Sequence, residues 1–336
     1  MIDWLFADEN LPLVFAVLMA LSVILYAVLD GYDLGVGLLL PMDNAEQRDS
    51  AIASIGPFWD ANETWLVLAI GLLLVAFPAA HSEILHALYL PATFMLIGLI
   101  LRGVAFDFRA KVSVTQKRQW DYLFKLGSLI ATLTQGFVLG MFVMGFEYTV
   151  GGVFFSILSA FGVATAYALI GSTWLIMKSE GELHRRALRW AKYSGAIAFA
   201  GILAVCFINP LINSFVLERW TTIPMAYFIG AIPLLCFSMF AVGYQVLKRL
   251  PLEGHRGDWV PFLMTVVVFL CCFAGLALSF YPYVVPGQLT IYETASAPES
   301  LRIMLVGALL VLPMIAGYTV FAYTTFRGKT TALRYY

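Results

Sequence analysis

Charge is what this sequence has least of. Only 12% of its 336 residues are Asp, Glu, Lys or Arg, about half the share of an ordinary soluble domain. Hydrophobic types make up 61%, and mean hydropathy is +0.85. A water-soluble fold of this size cannot bury so much apolar surface, because surface area falls too slowly with mass. A soluble enzyme, a disordered chain and a collagenous scaffold are thereby excluded. Cysteine is sparse as well. Cys206, Cys236, Cys271 and Cys272 all lie in apolar runs without CxxC spacing, so they read as small buried hydrophobes rather than a disulfide framework or a metal site. The formal net charge of −1 gives no basic field for nucleic acid. Histidine is limited to His81, His86, His184 and His255, none deep in an apolar run. A membrane haem needs an axial His, Met or Cys inside the bundle, and Met in apolar helices is chiefly packing. The chain is therefore expected to hold no metal or haem itself.

Long apolar runs are what the sequence has in place of charge. Nine segments can cross a hydrocarbon core of roughly 30 Å: residues 11–40, 61–78, 84–105, 122–146, 153–177, 193–212, 224–248, 259–282 and 301–325. They are far longer than the roughly 10-residue strands of an outer-membrane barrel. The expected fold is an all-α polytopic membrane protein with residues 1–336 as one transmembrane domain. Residues 1–10 are acidic and lack the basic segment that opens a signal peptide, so the first helix is expected to belong to the mature protein.

Nine spans put the termini on opposite sides. Of the 20 Lys and Arg residues, 17 then fall on one side, including Arg48, Arg109, Lys178, Arg256, Lys329 and Arg334. Arg219 and Arg302 fall on the other, and Arg102 lies within the third span. Basic loops stay in the cytoplasm, so the N-terminus is expected outside and the C-terminus inside.

Three polar motifs gather at one end of the first three spans. The first reads Asp30-Gly31-Tyr32-Asp33-Leu34-Gly35-Val36-Gly37, the second Trp59-Asp60-Ala61-Asn62-Glu63-Thr64-Trp65, the third Arg102-Gly103-Val104-Ala105-Phe106-Asp107-Phe108-Arg109. Asp30 and Asp33 are one turn apart and share a helix face. Acids at a helix C-terminus meet the negative end of its dipole, so a carboxylate at membrane depth needs a partner or a role. Arg102 is the candidate partner. A structural ion pair and a proton-handling site both remain open readings. Asp60 and Glu63 have the spacing of a capping box, with Asp60 at the N-cap; Trp59 and Trp65 flank it. Gly31, Gly35 and Gly37, like Gly136, Gly140 and Gly145, form small-residue stripes that let helices approach closely. No phosphate-loop pattern accompanies them.

In combination these motifs resemble subunit II of bacterial cytochrome bd-type quinol oxidases, the Arg102–Arg109 stretch resembling the cyanide-insensitive branch. Tyr281-Pro282-Tyr283-Val284-Val285-Pro286 with Leu289-Thr290-Ile291-Tyr292, and Phe326-Arg327-Gly328-Lys329, resemble the family's last outer loop and cytoplasmic ending. Between residues 112 and 280 the likeness is one of hydropathy. The resemblance implies two four-helix bundles and one peripheral helix in the bacterial inner membrane, paired with a larger subunit I. In the family that partner carries two b-type haems, a haem d or third b-type haem, and the quinol site. Small accessory subunits and membrane lipid are further expected partners. The complex oxidises quinol and reduces O₂ to water with protons from the cytoplasm. For this chain the resemblance implies a proton path with Asp60 as the leading candidate and Asp30, Asp33, Glu63 and Asp107 beside it. It implies structural roles for Arg102 and Arg109, and a quinone or lipid pocket near Trp59, Asp60 and Arg102. A self-contained proton-coupled transporter is the rival reading of the embedded charges. It would place broken helices at mid-membrane in two repeats, whereas here the polar motifs lie near helix ends. A purely structural partner subunit is the third.

Overall fold

The computed structural model describes residues 2–212, 214–223 and 225–330; Arg334 lies outside them. Nine long helices dominate: α2 (Leu11–Leu39), α4 (Trp59–Ala76), α5 (Pro78–Lys111), α6 (Val114–Val143), α7 (Val150–Lys178), α8 (Gly181–Ile212), α10 (Met225–Arg249), α11 (Val260–Phe280) and α13 (Pro298–Thr325). Short helices α1 (Ile2–Phe6), α3 (Ala45–Ile55), α9 (Ser214–Thr221) and α12 (Ile291–Thr294) lie between them. Among the described residues nine helices are long and apolar enough to cross a membrane, so the chain is an all-α polytopic membrane protein. Several helices run past the apolar cores that hydropathy marks. α8 begins at Gly181, well before residue 193, because its first turns carry Arg185, Arg186 and Arg189. These lower the hydropathy without disfavouring the helix.

α2 sits at the centre. It packs on α4 and α6, and on α7 across to a second group made by α7, α8, α10 and α11. α5 packs on α6 and α4, while α13 lies outside against α2. The core follows this arrangement. Its largest cluster joins Tyr32, Leu34 and Val36 of α2 to Tyr167, Ile170 and Trp174 of α7. The α2–α7 crossing is backbone against backbone. A Cβ on Gly35 would lie 1.9 Å from the Tyr167 carbonyl oxygen, and one on Gly171 would lie 2.4 Å from the Gly35 carbonyl carbon. Only glycine fits at either position, which is the close approach small residues permit in membranes.

α5 bends at Leu88, where φ is −112° and ψ is 15°. Pro91 causes this, since a mid-helix proline lacks an N–H and its ring clashes with the carbonyl four residues earlier. That carbonyl is Ala87, and Tyr148 Oη donates to it at 2.7 Å. Between α11 and α13 the chain forms a small antiparallel ribbon, Tyr283–Val285 with Leu289–Thr290. It leads into α12, where Thr290 and Glu293 form a reciprocal capping box. The backbone bonds of Thr290 hold the Glu293 carboxyl below its usual range.

Candidate functional site: a buried acid cluster

The C-terminal half of α2, the first turns of α4 and the last third of α5 come together around Asp30, Asp33 and Arg102, each 0% exposed. Arg102 Nη2 donates to Asp30 Oδ1 at 2.5 Å and to Glu63 Oε2 at 3.3 Å. Glu63 lies on the rim, with its side chain 27% exposed. Asp33, one turn on from Asp30, faces Asn62 instead. Asn62 Nδ2 is 2.8 Å from Asp33 Oδ2, 2.9 Å from Tyr32 Oη and 3.2 Å from the Leu29 carbonyl. Tyr323 of α13 closes the ring, donating to Asn62 Oδ1 at 3.2 Å and lying 2.5 Å from Tyr32 Oη. One guanidinium therefore bonds two carboxyl groups, with a third, Asp33, one turn away on α2 and held by Asn62. Asp30 Oδ2 and Asp33 Oδ1 are buried with no hydrogen-bond partner among the described residues, as are Arg102 Nε and Nη1.

Deeper in the bundle the polar chain continues. Asp30 is close enough to Tyr26 and Tyr167 to act on both electrostatically. Gln135 Nε2 donates to Tyr26 Oη at 2.6 Å, and Tyr167 Oη donates to Gln135 Oε1 at 2.8 Å.

Asp60 is exposed. It is not the N-cap: α4 begins at Trp59 with Phe58 in the capping position and no side-chain cap. Phe58 is 2% exposed and packs against Trp174 and Tyr323. That anchor starts the helix before Asp60, so the capping-box expectation is corrected. Asp60 instead lies in the first turn, where the dipole favours an acid. Glu63 follows one turn later on the same helix face. Asp107 is exposed and is not drawn into the cluster. Trp59 packs on Phe106 with ring centroids 4.9 Å apart. Trp59 and Asp60 thus lie towards the surface while Arg102 is wholly internal. A cavity of about 280 Å³ opens elsewhere, lined by Leu169, Phe199, Phe240, Tyr244, Pro261 and Val268.

Arg109 belongs to a second network. Its Nε lies 2.5 Å from Asp121 Oδ1, and its Nη2 pairs with Asp49. Arg48 Nε lies 2.5 Å from Asp121 Oδ2. Asp121, 0% exposed, so links α3, α5 and α6. Nearby, Arg186 donates to Asp43 at 3.0 Å, and that bond holds the Asp43 carboxyl below its usual range. Sequence reading missed Asp121, Arg48, Tyr32, Asn62 and Tyr323 as network members. Asp121 follows the polar stretch Gln116-Lys117-Arg118-Gln119 at the start of a span, so nothing in the sequence sets it apart from a solvated end.

The sequence model of cytochrome bd terminal oxidase subunit II matches residues 11–326. The chain belongs to that family. It is 27% identical to the Escherichia coli (strain K12) cytochrome bd-I ubiquinol oxidase subunit 2 over an alignment of 380 positions, covering 98% of this chain and 97% of the relative. It is 28% identical to the Bacillus subtilis (strain 168) cytochrome bd ubiquinol oxidase subunit 2 over 335, covering 94% and 95%. Its fold is similar to a chain in the structure of bd oxidase from Geobacillus thermodenitrificans, with a TM-score of 0.76 at 17% identity, covering 94% and 99%. As subunit II of a bd-type oxidase, the chain is part of a respiratory oxidoreductase complex that contains haem and a subunit I. It is a multi-pass protein of the bacterial inner membrane. Membership in this family disfavours the self-contained transporter.

Proposed function

We propose that this bd oxidase subunit II binds no haem, supports assembly of the haem-bearing subunit I, and takes up protons from the cytoplasm for O₂ reduction. The path runs from exposed Asp60 to rim Glu63 and then to the buried pair Asp30 and Asp33. The observation that carries it is the excess of acid in the cluster, three carboxyl groups around the single guanidinium of Arg102. Buried net charge is costly, so a cluster with more acids than bases gains from taking up a proton and can pass it on. The distribution of Lys and Arg supports a cytoplasmic placement of this end, and the absence of deep histidine in the sequence supports a haem-free role. Quinol and O₂ would react in the partner. Asp107 stands outside the path and serves as an internal control.

Asp60→Asn tests the first step. Asp60 does not cap α4, so the substitution removes only a titratable group from an exposed first turn. Haem content of the purified complex should stay normal. Quinol-dependent oxygen uptake per haem should fall by about tenfold or more, positioned proton transfer contributing roughly 100-fold or more where no other group substitutes. Asp60→Glu should give an intermediate rate and Asp107→Asn the wild-type rate. An unchanged rate for Asp60→Asn across pH 6 to 9 would leave Asp60 as an ordinary surface acid.

A further inference from the structure

A second cluster of chemically versatile side chains lies where the start of α8 and the α10–α11 connector meet the chain after α13. His184 comes from the first turn of α8, His255 from the turn between α10 and α11, and Asp258 from just before α11. Among the described residues these are the three His, Cys, Asp or Glu side chains whose donor atoms all converge, within 4.8 Å of one another. Asp258 Oδ2 is the focus. It lies 2.9 Å from His255 Nδ1 and 3.6 Å from His184 Nδ1. Lys329 Nζ reaches the same oxygen at 2.6 Å.

We propose that His184, His255 and Asp258 form a binding site for a divalent transition-metal ion of the zinc class, and that the Lys329 ammonium is its built-in competitor. The donor set is the first reason. Two imidazoles and a carboxylate suit zinc, which takes such ligands at about 2.0–2.2 Å in a tetrahedron. Ligand atoms at that range sit roughly 3.3 Å from each other, and the two separations from Asp258 Oδ2 bracket that value. The second reason is unspent donor capacity. Asp258 has a side chain 4% exposed, yet its Oδ1 is buried with no hydrogen-bond partner among the described residues. Buried polar atoms are nearly always satisfied, and an ion is one of the few explanations for exceptions. The third reason is access. His255 is 38% exposed on its side chain, so solvent can deliver the ion and supply a water as fourth ligand.

Lys329 fixes the terms of binding. Its ammonium also donates to the Ile176 and Ser179 carbonyls, at 3.1 and 2.9 Å. Beside it, Thr330 N donates to the Lys178 carbonyl at 2.7 Å, and Lys178 Nζ donates to the Phe326 carbonyl at 2.7 Å. Metal and ammonium compete for one carboxylate, so metal uptake and tail docking oppose each other.

The test uses the purified oxidase complex and zinc alone, scored by zinc bound per haem against a chelator of known affinity. Lys329→Met should bind one zinc more tightly than wild type by about tenfold, within the range that neighbours of a metal ligand command. Adding His255→Ala to Lys329→Met should abolish that gain. His255 is partly exposed, so its loss leaves assembly intact; haem content checks this. Adding Asp258→Asn should abolish the gain as well. Equal zinc affinity in wild type and Lys329→Met would overturn the proposal, as would a gain that survives His255→Ala.

Discussion

Arg102→Leu should leave less than about a tenth of the wild-type amount of assembled, haem-bearing complex in the membrane. The guanidinium is fully buried and is the only cation hydrogen-bonded to Asp30 among the described residues. Leucine fills similar space but leaves Asp30 desolvated beside Asp33 with nothing to offset either charge. Removing one partner of a buried pair costs about 3–5 kcal/mol, a large part of a typical fold's whole margin of roughly 5–15 kcal/mol. Arg102 also joins α5 to α2 and, through Glu63, to α4, so the loss falls on the packing of three helices. Arg102→Lys should fall between, since lysine keeps the charge without the planar fork that reaches two carboxylates. Haem absorbance per milligram of membrane protein reads the result. Full assembly of Arg102→Leu would mean that the pair does not hold these helices together.

Asp121→Ala should be nearly as damaging, and for the opposite charge. Asp121 is fully buried between Arg48 and Arg109. Without it two guanidiniums face each other in a confined site, again at about 3–5 kcal/mol. Asp49 offers the contrast: its side chain is 53% exposed, and an exposed pair contributes about 0–1 kcal/mol. Asp121→Ala should therefore deplete the complex, while Asp49→Ala should leave its amount and melting temperature close to wild type. Equal effects from the two would contradict the burial argument. Neither residue lies on the proposed proton path, so activity per haem in whatever Asp121→Ala complex survives should be normal.

Much of the architecture is legible in the sequence because a membrane span is a local property. Residues 259–282 announce α11 without knowledge of any neighbour, since a helix satisfies its backbone polar groups internally. Asp30 and Asp33 are legible in the same way, as acids one turn apart within an apolar run. What fails is whatever depends on distant packing. Phe58 starts α4 early because Trp174 and Tyr323 receive its ring, so a capping box that reads well locally places Asp60 two positions wrong. Asn62 looks like an ordinary polar residue in a first turn, and only the fold brings Tyr323, 261 positions away, to its amide. His184 reads as unrelated to His255 and Asp258 because it lies at the start of α8, about 70 positions before the connector that carries the other two. Asp121 is hidden for a similar reason: its two arginine partners sit on α3 and α5, and charge near the end of a span looks solvated until the fold encloses it.

The central claim is that the buried carboxyl cluster moves protons as well as holding helices together, and Asp33 is where these roles separate. Arg102 makes no hydrogen bond to Asp33, whose Oδ2 accepts from Asn62. Asp33→Asn keeps the size of the side chain and an oxygen able to accept that bond, but has no carboxyl to titrate. The deciding measurement is quinol-dependent oxygen uptake per haem in purified Asp33→Asn complex, with simultaneous recording of proton uptake. The account predicts normal haem content, with both rates lowered together by about tenfold or more. Wild-type oxygen and proton uptake in a fully assembled Asp33→Asn complex would contradict it and leave the cluster a purely structural device.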